Sequence, residues 1–224
     1  MALFENATQK KPDGRSAVLR AAMLKVARTA FLKYGFSETS MSRIAASAGI
    51  SKATLYNHFP SKEELFVAVC EEESSQALAP LFDVGEMLGD VRTVLEHFVQ
   101  RTLTLLLSDD LLAFYRLVVA ESVRFPEIGR TANEFGIQRG LERMTFYLTA
   151  AIERGELRPM NVWVAAEQFL DLCAGSPHRQ KLWGMVRTIG RREIETHARL
   201  AVATFLAAYG NDELSRHARE MIAA

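Results

Sequence analysis

The stretch that most constrains this chain runs from Thr39 to Lys62, TSMSRIAASAGISKATLYNHFPSK. Ser40 can cap a helix on which Ile44, Ala45 and Ala48 share one face at helical spacing. Gly49 ends it, because glycine accepts the left-handed backbone that a tight turn between helices often needs. Ser51 is placed to cap a second helix, Lys52 to Phe59, which Leu55 and Phe59 anchor inward from positions four apart. Pro60 stops that helix, and Ser61-Lys62-Glu63-Glu64 has the spacing of a capping box that opens a third.

This register leaves Lys52, Ala53, Thr54, Tyr56, Asn57 and His58 largely outward, a short, polar and basic front that suits entry into a major groove. Small Ala53 lets the backbone come close, and Lys62, in the first turn of the third helix, can meet a phosphate beside that helix end. Helical hairpins with a glycine turn also occur in proteins that never touch DNA, so the spacing alone leaves both readings open.

The wider wording narrows them. Gly35-Phe36, Thr39-Ser40, Ile44-Ala45, Ala48-Gly49-Ile50-Ser51, Thr54-Leu55-Tyr56, His58-Phe59 and Ser61-Lys62-Glu63 resemble the DNA-binding domain of TetR-family transcriptional regulators almost position for position. The resemblance implies an all-α protein: a three-helix reading head and a larger helical domain that senses a small molecule and forms a homodimer. By motif position, Ser40, Tyr56, His58 and Lys62 match family phosphate contacts, while Lys52, Ala53, Thr54 and Asn57 match positions that can face bases. Position 53 is often glycine in relatives and is alanine here. Further along, Arg116–Ser122, Arg124–Ile128, Arg154–Arg158 and Ala165–Leu170 resemble the C-terminal domain of an AefR-like branch of the same family.

The formal net charge of zero conceals a polarised chain. Residues 1–62 hold ten Lys and Arg against three Asp and Glu, a net of +7, and residues 63–224 hold seventeen against twenty-four, a net of −7. A basic head with an acidic body orients such a molecule on a polyanion and keeps the body off it.

The expected organisation is a flexible basic arm over 1–15, a helix-turn-helix head over 16–62, a connecting helix over 63–80 and a helical effector-binding and dimerisation domain over 81–224. Within the head, Met23, Ala27, Ala30, Phe31 and Tyr34 form one stripe on a supporting helix from Ser16 to Tyr34, closed by Gly35. The body reads as helices over Val91–Leu107, Asp110–Ser122, Pro126–Arg154, Val162–Ala174 and Arg191–Tyr209, with a short tail helix after Asn211. The stretch Gly175–Gly190 has no clear pattern beyond a short helix around Leu182.

Catalytic motifs are lacking: there is no nucleophile elbow, P-loop, dinucleotide fingerprint or HExxH, so no enzyme activity and no cofactor are expected. The histidines are scattered without partners at ligand spacing, and Cys70 and Cys173 read as two buried thiols, so no metal is expected either. With no apolar leader and no run of eighteen apolar residues, the expected location is the cytoplasm, with no membrane partner.

Bulky apolar residues in the middle helices supply effector-pocket candidates: Phe98, Phe114, Leu117, Val118, Phe135, Tyr147 and Phe169, with Glu121 as a polar group among them. Each of these is also an ordinary core residue in the alternative reading. The late helices supply dimer-interface candidates, Trp163, Leu170, Leu200, Ala201, Phe205 and Ala208, for a four-helix contact of the kind family members make. The reading is therefore a homodimeric, ligand-responsive repressor whose partners are operator DNA, a second copy and a small-molecule effector. An activator on the same scaffold, and a metabolite-binding or catalytic helical protein with an unused head, remain as alternatives.

Overall fold

The computed structural model describes residues 14–78, 81 and 89–223, and its regular structure is helical apart from an isolated antiparallel bridge between Leu157 and Gly210. The expected arm lies outside the described residues except for Gly14 and Arg15, which open the first helix. The chain divides into two compact units, one through Val69 and the other from Cys70 onward.

The first unit holds α1 (Gly14–Glu38), α2 (Met41–Ser47), α3 (Lys52–His58) and the start of α4 (Lys62–Leu78). Instead of ending α1, Gly35 bends it: with φ 80° and ψ 166° it breaks the helical path, which then resumes to Glu38. The bend turns Phe36 back into the core, where Phe31, Phe36 and Phe66 form a triangle of rings with centroids 5.3–5.6 Å apart. Thr39 is buried, and its hydroxyl lies 2.7 Å from the Gly35 carbonyl and 3.2 Å from that of Ala30, tying the bend to α1. Helices as short as α2 and α3 have little stability alone. Complete burial of Ile44 and Leu55 fixes them to this core.

The second unit contains α5 (Val91–Leu106), α6 (Asp109–Ser122), α7 (Pro126–Ala132), α8 (Arg139–Glu153), α9 (Val162–Leu182), α10 (Arg191–Tyr209) and α11 (Asp212–Ala223). On α5 the buried positions 91, 94, 95, 98, 99, 102 and 103 follow the amphipathic period, and Phe98 faces Phe169 of α9 at 5.9 Å. Phe169 in turn meets Phe205 of α10 edge-on at 4.9 Å, so one aromatic ladder joins three helices.

Two helices depart from the expected pattern. The single helix expected over Pro126–Arg154 is α7 and α8 joined by a π-helical segment, Asn133–Gln138. There Gly136 comes against Ser74 of α4, and Arg139 lies 4.5 Å over the Phe135 ring while pairing with Glu71 of α4 at 3.5 Å. The helix expected to end at Ala174 continues through a break at Gly175 (φ 50°, ψ −154°) to Leu182. Pro177, just beyond the break, has no N–H to offer the Cys173 carbonyl, and His197 of α10 supplies one: its Nε2 stands 2.9 Å from the Leu172 carbonyl and 3.2 Å from that of Cys173. The resumed segment is held at its far end by Arg116 of α6, which donates to the carbonyls of Lys181 and Leu182, and by the Lys181–Asp109 pair at 2.9 Å.

Candidate nucleic-acid interface

Three helix starts build the site. Ser40 caps α2, its hydroxyl accepting from the Arg43 N–H at 3.2 Å. Ser51 caps α3 by accepting from the Thr54 N–H at 3.0 Å, and the Thr54 hydroxyl lies 2.8 Å from Ser51 Oγ. Ser61 accepts from the Glu64 N–H at 3.0 Å and opens α4. Between α2 and α3 the turn passes through Gly49 at φ 66°, with its own N–H bonded to Ala46 O and that of Ile50 to Ala45 O.

On α3, Leu55 is fully buried and Phe59, just past the helix end, nearly so. Ser51, Lys52, Ala53, Tyr56 and Asn57 are exposed together, with Thr54 and His58 half-buried at the edges of that face. Tyr56 is 47% exposed, so its hydroxyl and ring edge stand on the same outward face as Lys52 and Asn57. The Arg20 guanidinium lies 5.2 Å from the centre of the Phe59 ring and covers the end of α3.

Lys62 has a second occupation that the sequence did not reveal. Its ammonium donates to the carbonyls of Phe36 at 2.8 Å and Ser37 at 3.2 Å and sits 4.4 Å from the centre of the Phe36 ring. It therefore ties the start of α4 to the bend after Gly35, and one of its three N–H groups remains for an outside acceptor. Arg43, absent from the sequence-derived set, lies 4.4 Å over the Tyr34 ring, with Lys33 at 5.1 Å from the same ring. Spacing alone does not pair Arg43 with a ring on another helix; only the bend at Gly35 brings them together.

In the second unit the effector candidates separate. Phe98, Tyr147 and Phe169 lie in the shared core, Phe114 and Leu117 are buried on α6, and Val118, Glu121 and Phe135 are half-buried. Burial pushes the Tyr147 phenol up to about 12. An open groove of about 620 Å³ is lined by Arg158, Asp212, Ser215, Arg216, Arg219 and Glu220, none of them an effector candidate. Of the dimer candidates, Trp163, Leu200 and Ala208 are exposed and Leu170 is half-buried, whereas Ala201 and Phe205 lie in the chain's own core. Both thiols are buried, which pushes Cys70 up to about 12 and Cys173 higher still. Among the described residues no group of three or more His, Cys, Asp or Glu side chains could hold a metal, and no helix is long and apolar enough to cross a membrane.

Residues 23–69 match the bacterial regulatory proteins of the tetR family, and residues 93–211 match the C-terminal domain of AefR-like transcriptional repressors. The HTH-type transcriptional regulator UidR of Escherichia coli K12 is 31% identical over 167 residues, covering 70% of this chain and 78% of UidR. A structure from Mesorhizobium loti MAFF303099, described as a TetR-family transcriptional regulator, is 29% identical and superposes with a TM-score of 0.80 over 89% of this chain and all of the other. The flavonoid-responsive regulator FrrA is 30% identical, with a TM-score of 0.77 over 88% of this chain and 99% of its own.

Proposed function

Because the chain belongs to the TetR family of transcriptional regulators and is a regulator rather than an enzyme, we propose that it is a cytoplasmic homodimeric repressor released from operator DNA by a small-molecule inducer. The observation that carries the DNA side is the exposed front of α3, Lys52, Ala53, Tyr56 and Asn57 with half-buried Thr54 at its edge, framed by capped helix starts at Ser40, Ser51 and Ser61. Lys52, Ala53, Thr54 and Asn57 face bases; Ser40, Tyr56, His58 and the spare donor of Lys62 hold phosphates. Residues 16–62 form the reading head, 63–80 the connecting helix and 81–224 the sensing and dimerising body.

Two copies would place two α3 helices in successive major grooves of a pseudo-palindrome, about 34–36 Å apart or somewhat more. Dimerisation through α9 and α10 is supported by the exposure of Trp163 at 38% and Leu200 at 49% on neighbouring late helices. An inducer then needs only a higher affinity for a body conformation in which that spacing is wrong. Similarity to a flavonoid-responsive regulator makes flat phenolic compounds the first inducer class to test, against a body whose inner helices carry Phe98, Phe114, Leu117, Tyr147 and Phe169.

The test is selection of genomic fragments by the purified protein at near-physiological salt, followed by footprinting of the winner with and without phenolic compounds. A protected pseudo-palindrome that is released by a compound supports the reading. Salt-sensitive binding without sequence preference would leave the head as a generic anchor and overturn the repressor assignment.

A further inference from the structure

We infer that Lys33, Tyr34 and Arg43, at the corner where α1 meets α2, form an additional anchoring point for the phosphate backbone of operator DNA, beside the one assigned to Ser40 and Lys62. The inference rests on the DNA-binding reading above and adds three residues to it.

The cluster places two cations on one exposed ring. The Arg43 guanidinium is 4.4 Å and the Lys33 ammonium 5.1 Å from the centre of Tyr34, which is 41% exposed. Neither cation makes an ion pair with a carboxylate among the described residues. Two like charges held at one ring raise the local positive potential, and an anion arriving at the exposed corner is attracted by both.

Arg43 is also aimed and largely unspent. The Tyr34 ring holds the guanidinium carbon at 4.4 Å from its centre, and its one backbone bond, from a terminal nitrogen to the Glu38 carbonyl, is long at 3.5 Å. Among the described residues the other four N–H groups of the guanidinium make no hydrogen bond, and they lie in a fork whose geometry matches phosphate oxygens. Holding the fork against a ring beforehand lowers the ordering cost of binding.

Its position agrees with that use. The same short loop binds Lys62 through the carbonyls of Phe36 and Ser37, binds Arg43 through the carbonyl of Glu38, and ends at Ser40, the cap of α2. Two residues of chain, Phe36 to Glu38, span at most about 7 Å. The two cationic groups thus flank one loop at the start of α2, the helix that crosses the backbone in a helix-turn-helix complex.

The experiment uses the full chain and a duplex recovered by genomic selection with the wild-type protein. Affinity is titrated against salt, and single phosphates are blocked in turn by ethylation interference. Arg43→Ala is expected to weaken binding on the order of tenfold near 0.1 M salt and to reduce the slope of log K against log salt by about 0.9, the share of one phosphate. It should also abolish interference at one phosphate per half-site that Lys62→Ala leaves in place, with base preference unchanged. Lys33→Gln, an exposed change with no effect expected on folding, should reduce the slope in the same direction. Tyr34→Phe should keep wild-type binding, while Tyr34→Leu should weaken it by losing the platform. An unaltered slope and interference pattern in both Arg43→Ala and Lys33→Gln would reduce the cluster to a surface decoration. A change in base preference would overturn the phosphate assignment. If the wild-type protein itself protects no site, the DNA-binding reading fails first, and this inference with it.

Discussion

The imidazole of His197 presses its Cε1–Nε2 edge against the bare backbone of Gly175: a Cβ on residue 175 would come within 2.3 Å of His197 Cε1. The two residues solve one problem from both sides. Gly175 takes a backbone conformation that side chains exclude, and His197 accepts the space left free and donates to the carbonyls of Leu172 and Cys173 that the break exposes. Carbonyls only accept, so Nε2 carries the proton.

Replacement of either partner should therefore lower stability. Gly175→Ala incurs backbone strain of about 1–3 kcal/mol and an overlap with the ring that adds a comparable amount. His197→Ala leaves one or two part-buried carbonyls without a donor, a loss of about 1–3 kcal/mol. Urea titration should show lower midpoints for both with an unchanged m value. A His197→Ala protein as stable as the wild type would mean that water serves those carbonyls equally well.

His178, one turn past the break, predicts a pH dependence. Burial beside the edge of Tyr115 lowers its pKa below 6.5, so the folded chain favours the neutral ring more than the unfolded chain does. As pH falls through 6.5 the unfolded state takes up the proton first, and stability is lost progressively until the folded-state pKa is passed. The midpoint of unfolding should drop between pH 7 and pH 5 by more in the wild type than in His178→Gln. Equal drops would show that other groups control the acid limb.

Lys62→Ala should have two separable effects. Loss of a phosphate partner reduces the salt slope by about one and weakens binding to all sequences alike. Loss of the tie to Phe36 and Ser37 destabilises the head by about 1–3 kcal/mol, because those carbonyls lose a charged donor. Asn57→Ala should do the reverse, keeping the slope while relaxing preference at one operator position by about 1–3 kcal/mol. Binding titrations across salt, on a panel of operator variants, distinguish the two.

Leu200→Glu tests the dimer. Leu200 is 49% exposed on α10, so a carboxylate there is harmless to a monomer and costly in an apolar interface. Sedimentation should show monomers, with loss of tight operator binding. Phe205→Ala, on the same helix but buried in the aromatic ladder, should instead cost about 3–5 kcal/mol of folding stability. If Leu200→Glu remains dimeric, the interface lies elsewhere.

Much of the head was legible because its information is local. Ser40, Gly49, Ser51 and Ser61 act within three or four residues of themselves, and the caps and the turn stand where the spacing put them. The work of Lys62 and Arg43 was hidden for the opposite reason: their partners Phe36, Ser37 and Tyr34 lie nine to twenty-six residues away and meet them only because Gly35 bends α1. In the body, helix periodicity located α5, α6 and α10 to within a residue, but Gly175 read as an end when it is a break that Pro177 and His197 make tolerable. Amphipathic pattern also could not say which apolar residue stays outside. Phe205 and Leu200 look alike in sequence, and only packing separates the buried one from the exposed one.

The π turn between α7 and α8 gives its stretch a particular sensitivity to length. Six residues, Asn133–Gln138, make a wider turn than α-helical winding would, so the segment holds one residue in reserve. Deleting a single residue there could be absorbed by tightening the turn, with the chain still continuous on either side. What would change is the local grip: Gly136 would leave Ser74, and Arg139 would lose its common alignment with Phe135 and Glu71. The segment thus works as a vernier between α8 and α4, in which a length change of one residue becomes a change of contact rather than a loss of fold.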